Sequence, residues 1–215
     1  MESWIRLGSE IYASDAVGEG ALKIGGYTFV SLMLEMGDGA FGGDTLRFTG
    51  TEGTHPAPEG MVEGWLVFRD SEFPELKLTT VLRTKPGHTA LRHVLSGEGT
   101  VSADTTVSLA GLLLPEMPKL YAATPDGPVA LPAEEGLIPR QALVVETPSG
   151  CLLMTGGEFF SLGADETGVC LCALQRPKKD LDLAQADFTT EWLELRLGAT
   201  PADVLAGTEW AGAKA

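Results

Sequence analysis

The sequence has little positive charge. Of its 215 residues, 15 are lysine or arginine and 30 are aspartate or glutamate, so the formal net charge is −15 at pH 7. A chain this acidic repels phosphate backbones and anionic lipid headgroups. We therefore expect no nucleic-acid partner and no membrane partner, although surface carboxylates also serve simply to keep a protein in solution.

Cysteine and histidine are scarce as well, with three residues of each. The odd number of cysteines (Cys151, Cys170 and Cys172) gives no disulfide framework, and reduced, buried thiols are typical of cytoplasmic proteins. A structural zinc site needs four nitrogen or sulfur ligands. Because only scattered histidines could complete a set that includes these cysteines, we expect no metal site.

Targeting and membrane-spanning segments are also missing from the sequence. The N-terminal stretch MESWIRLGSEIYASD has no basic region followed by an apolar run, which a signal peptide requires. No window approaches the roughly 20 apolar residues of a membrane span. Together with the cysteine content, these observations predict a cytoplasmic protein.

Fingerprints of nucleotide and nucleophile chemistry are absent. The sequence contains neither the glycine-rich dinucleotide motif nor the P-loop, and no GxSxG elbow marks a nucleophilic serine. The acidic stretch GDGAFGGD lacks the alternating oxygen ligands of a calcium loop. We expect no cofactor.

Glycine and proline, in contrast, are plentiful, at 27 and 13 residues. Without a fixed repeat, they indicate frequent turns and hence many short strands rather than a few long helices. Apolar and polar residues alternate in several segments, as in strands with one face on a core: residues 27–36, 61–70, 76–84, 88–96 and 191–197. Residues 168–175, GVCLCALQ, are apolar on both faces, which predicts a strand in the middle of a sandwich.

The clearest local pattern is ELKLTTVLRTKPGHTALRHVLSGEG, residues 75–99, which predicts a β-hairpin. Pro86 and Gly87 supply the turn, because proline fixes φ and glycine accepts positive φ. On the returning strand, His93 shares a face with two leucines, while His88 and Arg92 share the opposite face. The two histidines are five residues apart, so on a regular strand they point in opposite directions.

Other segments are less regular. By composition, residues 37–44 and 51–60 are predicted loops. Six prolines between residues 115 and 139 exclude a core helix and predict a long connection with one short strand at residues 119–123. Near the C-terminus, Thr200 as N-cap and Pro201 at the first helical position predict a short helix that leaves the sheet.

Arg83, His88 and Arg92 are the best candidates for a ligand-binding patch, with Trp65 as a stacking face; Trp192 could add a second one. Such a patch on a concave sheet would suit sugar hydroxyls or a carboxylate. The plainer interpretation is that His93 is a partly buried strand histidine with a satisfied ring nitrogen, and that His88 and Arg92 only decorate the solvent-exposed face. As candidate catalytic residues, His88 or His93 would act as an acid and Glu158 as a base.

The order of these segments resembles a known family. The hairpin with its Ala90-Leu91-Arg92-His93 motif, followed late in the chain by EFFSLGADETGVCLCALQ and FTTEWLELRLGATPADVLAG, is similar to the N-terminal β-supersandwich of α-galactosidase-like glycoside hydrolases, a galactose-mutarotase-like domain. The resemblance extends from Tyr27 to Ala206 as a pattern of strands. It implies an all-β fold, a large antiparallel β-sandwich with a short C-terminal helix.

The same resemblance implies two regions: a β-sandwich domain at residues 1–198, and a short helix and tail at residues 199–215 that could link to a missing domain. In those enzymes the nucleophile and the acid lie in a separate barrel. The resemblance therefore implies a non-catalytic, carbohydrate-associated domain whose partners are a carbohydrate ligand and either a downstream catalytic domain or a second copy. Two alternatives remain open: a sugar-epimerase-like enzyme that uses the concave sheet face, and a structural or protein-interaction module.

Overall fold

The computed structural model describes residues 4–7, 11–14, 21–36, 39–124, 126–166, 168–206 and 208. In the first half of the chain the strands are β1 (Trp4–Leu7), β2 (Ile11–Ser14), β3 (Ala21–Ile24), β4 (Tyr27–Val30), β5 (Met33–Met36), β6 (Gly39–Gly42), β7 (Leu46–Pro56), β8 (Val62–Asp70), β9 (Lys77–Lys85), β10 (His88–Ser96) and β11 (Thr100–Val101). In the second half they are β12 (Val107–Leu114), β13 (Lys119–Thr124), β14 (Gly127–Leu131), β15 (Gly136–Ile138), β16 (Ala142–Thr147), β17 (Gly150–Thr155), β18 (Phe159–Asp165), β19 (Gly168–Gln175), β20 (Leu181–Asp182), β21 (Phe188–Thr189) and β22 (Leu193–Gly198), followed by helix α1 (Pro201–Leu205).

The strands form two large antiparallel sheets. The first sheet has the order β1-β2-β3-β4-β12-β19-β18-β15, with β5 and β6 joined to it through β12. The second has the order β14-β13-β16-β17-β22-β10-β9-β8-β7, with β21 paired to β10, and β11 and β20 form a separate small pair. The predicted fold class, an all-β antiparallel sandwich with a short C-terminal helix, is confirmed.

The core lies between the two sheets as one contiguous apolar cluster. Phe29, Leu112 and Leu171 of the first sheet are fully buried in it, as are Leu78 and Leu195 of the second sheet. In each of these strands the neighbouring residues along the chain point to the opposite face, because side chains alternate with a period of two. Burying one set of side chains therefore fixes which residues point outward.

The hairpin predicted for residues 75–99 is confirmed. Strands β9 and β10 pair in register from His88 opposite Lys85 to Ser96 opposite Lys77. Gly87 has φ of 71°, a conformation that suits glycine in the turn. The predicted central position of residues 168–175 is confirmed as well, since β19 lies between β12 and β18.

Three loop predictions are wrong. Residues 39–42 form β6 and residues 43–45 a 3-10 turn, residues 37 and 38 lying outside the described part of the chain. Strand β7 continues through Pro56, so only the end of the segment at residues 51–60 is irregular.

The proline-rich connection likewise contains β14 and β15 in addition to the predicted short strand, which is β13. Both added strands lie at sheet edges, and β14 contains Pro128, in keeping with the confinement of proline to edge strands. Proline spacing therefore excluded a helix at residues 115–139 but did not exclude strands.

Helix α1 begins as the sequence predicts. Thr200 and Asp203 form a reciprocal capping box, and Pro201 occupies the first turn. The helix does not leave the sheet, however. Val204 is buried against Val144 and Leu153 on the outer face of the second sheet. Among the described residues, no helix is long and apolar enough to cross a bilayer.

His93 is a polar side chain on the core face of β10, and it is fully buried. Its Nε2–H donates to the carbonyl oxygen of Leu109 at 2.7 Å, and its Nδ1 accepts from the Thr80 hydroxyl at 2.9 Å. Both ring nitrogens are therefore satisfied, as the plainer interpretation of the sequence held. Burial lowers the pKa of His93 to about 4, although the bond to Leu109 opposes the shift.

This burial predicts an acid-sensitive core. In the unfolded chain the imidazole titrates near pH 6.5, so the unfolded state takes up the proton first as the pH falls. The stability that neutral His93 contributes should be complete above pH 6.5 and should fall by roughly 3 kcal/mol by pH 4. Urea unfolding of the wild type and of His93→Gln between pH 7.5 and 4 measures this loss of unfolding free energy.

The variant should be less stable at neutral pH but should show a shallower loss of unfolding free energy with acid. His55→Gln, which removes an exposed imidazole, is the matched control and should keep the wild-type slope. Equal slopes for the wild type and His93→Gln would contradict the prediction.

Candidate functional site

The outer face of the second sheet collects polar and aromatic side chains at its centre. Strand β10 pairs with β22 such that His88 lies opposite Arg196 and Ala90 lies opposite Glu194. On the other side of β10, Ala90 lies opposite Arg83. The central cluster, as we call it, consists of the outward-pointing side chains of these strands and of the residues beside them: Glu63, Arg83, His88, Arg92, Trp192, Glu194 and Arg196.

Trp192 is the hub of the central cluster. The guanidinium carbons of Arg83 and Arg92 lie 4.4 and 4.7 Å from the centroid of its ring. Arg83 is fixed further, because its Nε donates to Glu63 Oε2 at 2.7 Å. Cation–π contacts of this kind hold an arginine in place while leaving it charged. The two predicted binding arginines are therefore brought together, but around a tryptophan of the protein itself.

His88 is much less accessible than the sequence indicated. Only 7% of the residue is exposed, although it points to the outer face. In the sheet it lies between Lys85 and Arg196, and its Nε2 is 3.4 Å from Glu194 Oε2. Burial and the neighbouring Arg196 lower the pKa of His88, while Glu194 acts in the opposite direction. The imidazole is thus predominantly neutral at pH 7.

A hollow of about 560 Å³ opens beside the central cluster. Trp192, Glu194 and Arg196 form one wall of it. The remaining lining comes from the ends of β16, β17 and β19 and from the chain around them: Gln141, Ala142, Leu153, Thr155, Gly156, Gly157, Glu158, Gln175, Lys178, Glu191 and Thr208. We call this cavity the outer-face hollow.

The lining offers many hydrogen-bonding groups beside a few apolar ones. Glu158 is exposed, and its backbone N–H donates to Leu174 O at 2.7 Å, which fixes the residue at the rim. The Gln175 side chain accepts from the backbone N–H of Glu191 at 2.9 Å, so its orientation is set as well. Carboxylates, amides and a guanidinium around an indole suit a ligand rich in hydroxyl groups.

The predicted site residues thus fall into four groups. Glu158 lines the outer-face hollow, and Arg83, His88 and Arg92 belong to the central cluster at its side. Trp65 contacts the exposed His55, with ring centroids 5.1 Å apart and ring planes tilted by 52°, and is not part of the lining. His93 points into the core and does not reach the outer face.

Sequence reasoning missed Glu194 and Arg196 as lining residues. The alternation in EWLELRL already placed them on one face together with Trp192. What the sequence did not reveal is that β22 pairs with β10, about a hundred residues earlier in the chain. No sequence pattern predicted Gln141 or Gln175 as lining residues, because each reaches the hollow only from the end of a strand.

Comparison with known proteins adds a fold relationship. No protein-family model and no curated protein sequence matches the chain. Among solved structures, the glycoside hydrolase family 36 α-galactosidase AgaA from Geobacillus stearothermophilus, in complex with raffinose, superposes with a TM-score of 0.58 at 8% identity. The match covers 83% of this chain and 33% of that one.

Two further matches differ in how much of the other protein they cover. A glycoside hydrolase family 97 enzyme from Pseudoalteromonas sp. strain K8 gives a TM-score of 0.54 at 9% identity, over 90% of this chain and 33% of that one. A protein from Escherichia coli K12 assigned as an aldose 1-epimerase gives a TM-score of 0.52 at 10% identity, over 93% of this chain and 99% of that one. The chain therefore spans about a third of the glycosidases that it matches and has the fold of a galactose-mutarotase-like domain of glycoside hydrolases.

Proposed function

We propose that this chain is a carbohydrate-associated β-sandwich domain that binds a sugar in the outer-face hollow and carries out no catalysis of its own. The observation that carries the proposal is the lining of that hollow, to which Glu158, Gln175 and Arg196 contribute together with Trp192. An apolar ring edge beside convergent hydrogen-bonding groups is what a sugar, with its CH face and its hydroxyls, requires. The fold relationship to glycosidases supports the ligand class.

The proposed partner is a catalytic domain, as in the N-terminal accessory domain of a glycoside hydrolase. Support comes from the matched α-galactosidase, of which the present fold makes up only a third. On this proposal, residues 199–215 connect the sandwich to that domain. A homo-oligomer is the other proposed arrangement. We also propose a cytoplasmic location, since the three cysteines are free thiols.

A sugar-epimerase-like enzyme is the second candidate function. It is favoured by the match that covers nearly the whole of a protein assigned as an aldose 1-epimerase. In this case Glu158, exposed at the rim, would act as the base and His88, held near Glu194, as the acid. The lowered pKa of His88 weighs against it as a proton donor at neutral pH, because little of the imidazole is then protonated.

The binding proposal predicts a loss of affinity on removal of the rim carboxylate. Glu158→Gln should weaken binding of a hexose such as galactose or glucose roughly tenfold, because one hydrogen bond from a hydroxyl to a charged group is weakened. Titration calorimetry or ligand-observed NMR gives the dissociation constants.

Glu72→Gln is a suitable control, since Glu72 is exposed and is not part of the lining. It should bind as the wild type does. The proposed ligand site is refuted if the wild type shows no saturable binding of any hexose tested. It is also refuted if Glu158→Gln and Glu72→Gln weaken binding equally.

The two functions are separated by the rate at which sugar anomers interconvert. For a binding domain without catalysis, polarimetry of freshly dissolved α-galactose should give the buffer rate at any protein concentration. An epimerase should accelerate the interconversion. In that case His88→Gln and Glu158→Gln should each lower the catalysed rate by a hundredfold or more. Circular dichroism shows whether the variants keep their fold. Acceleration by the wild type that both variants abolish would overturn the non-catalytic proposal.

A further inference from the structure

Cys170 and Cys172 lie side by side on the outer face of the first sheet, away from the outer-face hollow. They are two residues apart on β19, so both side chains point out of the sandwich. Their Sγ atoms are 3.5 Å apart, and each residue is partly exposed. The third cysteine, Cys151, is buried in the second sheet.

Small residues on the flanking strands leave room for these thiols. Cys172 lies opposite Gly111 on β12, and Cys170 lies opposite Gly163 on β18. A Cβ atom on Gly111 would come within 2.8 Å of Cys170 Sγ and 3.3 Å of Cys172 Sγ, so the two sulfurs occupy the space above this glycine. Cys170 also lines a second, open hollow of about 340 Å³ together with Leu113 and Gly163.

The two thiols interact directly, and this interaction shifts their pKa values in opposite directions. The hydrogen bond from Cys170, together with one from Ser108, lowers the pKa of Cys172 to about 7 against the opposing effect of burial. The same interaction raises the pKa of Cys170. Sulfur is the atom through which cysteine binds soft ions, and two such atoms already lie 3.5 Å apart on this face.

We propose that Cys170 and Cys172 form a chelating dithiol site for a soft, thiophilic ion, and that trivalent arsenic is the chemical class that fits it. Arsenic in this state binds two thiolates at close to a right angle, which holds the sulfurs about as far apart as they already lie. Linear two-coordinate ions such as Cu(I) or Hg(II) hold two sulfurs farther apart. Zinc needs four ligands, and the described residues contain no group of three or more histidine, cysteine, aspartate or glutamate side chains that could hold a metal.

A disulfide between the two cysteines fits the strand less well. Residues two apart on an extended strand have Cα atoms roughly 6.6 Å apart, at the long end of the range that disulfides tolerate. Closing the bond would also bring the sulfurs from 3.5 Å to bonding distance and bend a central strand of the sheet. A single bridging atom requires neither movement.

The reaction with an arsenical balances without any oxidant. With phenylarsine oxide, each sulfur forms one bond to arsenic, the arsenic–oxygen bond breaks, and the two thiol protons leave with the oxygen as water. Arsenic keeps its oxidation state. The product is a five-atom bridge of Cβ, Sγ, As, Sγ and Cβ above Gly111.

The proposal predicts one phenylarsine oxide adduct per chain in intact-mass spectra of the reduced protein. A dithiol such as 2,3-dimercaptopropanol should release the adduct, whereas the monothiol 2-mercaptoethanol should not. Because the second bond of a chelate forms at high effective concentration, Cys170→Ser and Cys172→Ser should each lower the affinity about a hundredfold or more.

Cys151→Ser is the matched control and should bind as the wild type does, since Cys151 lies alone in the other sheet. Gly111→Ala retains all three thiols but displaces the pair, so it should also weaken binding. Thermal unfolding checks that each variant folds. Single-cysteine variants that bind as tightly as the wild type, release by monothiol alone, or a wild type that forms an internal disulfide and takes up no arsenical would each overturn the proposal. None of these outcomes bears on sugar binding at the other sheet.

Discussion

Two antiparallel sheets share one apolar interior, and every strand that contributes to it must present its large side chains at every second position. This constraint assigns each polar side chain its direction. On β10, burial of Leu91 and Leu95 turns His88 and Arg92 outward. His93, in phase with the leucines, is carried into the core and is tolerated there because both of its ring nitrogens are hydrogen-bonded.

The same constraint produces the central cluster on the second sheet. Leu193 and Leu195 of β22 are buried, so Trp192, Glu194 and Arg196 emerge on the side away from the core. Once β22 lies beside β10, these residues meet the arginines of the hairpin, and the indole becomes the common contact of two guanidinium groups. The outer-face hollow is then bounded on one side by a wall whose side chains are already held by neighbours.

Much of this could be predicted locally. The hairpin, its turn, the phases of β9, β10 and β22 and the cap of α1 depend on residues close together in sequence, and these predictions are confirmed. The single alternating strand predicted at residues 27–36 is wrong, because the segment divides into β4 and β5 and Phe29 is fully buried. Predictions from composition were less successful, because glycine and proline mark strand edges and bulges as well as loops, as β6 and β14 show. The near-complete burial of His88 could not be predicted, since it depends on Arg196 across a pairing that joins distant segments. The lining of the hollow likewise comes from strand ends that only the folded sheets bring together.

The insertion of β22 between β10 and β17 has a consequence for how the protein acquires its structure. Without residues 193–198 the second sheet would divide between β17 and β10, and each of these strands would have an open edge with unpaired backbone groups. Open edges of this kind invite pairing with other chains. Completion of the sheet depends on contacts between segments far apart in sequence, which form slowly. Pairing of β22 with both β10 and β17 therefore closes two edges at once.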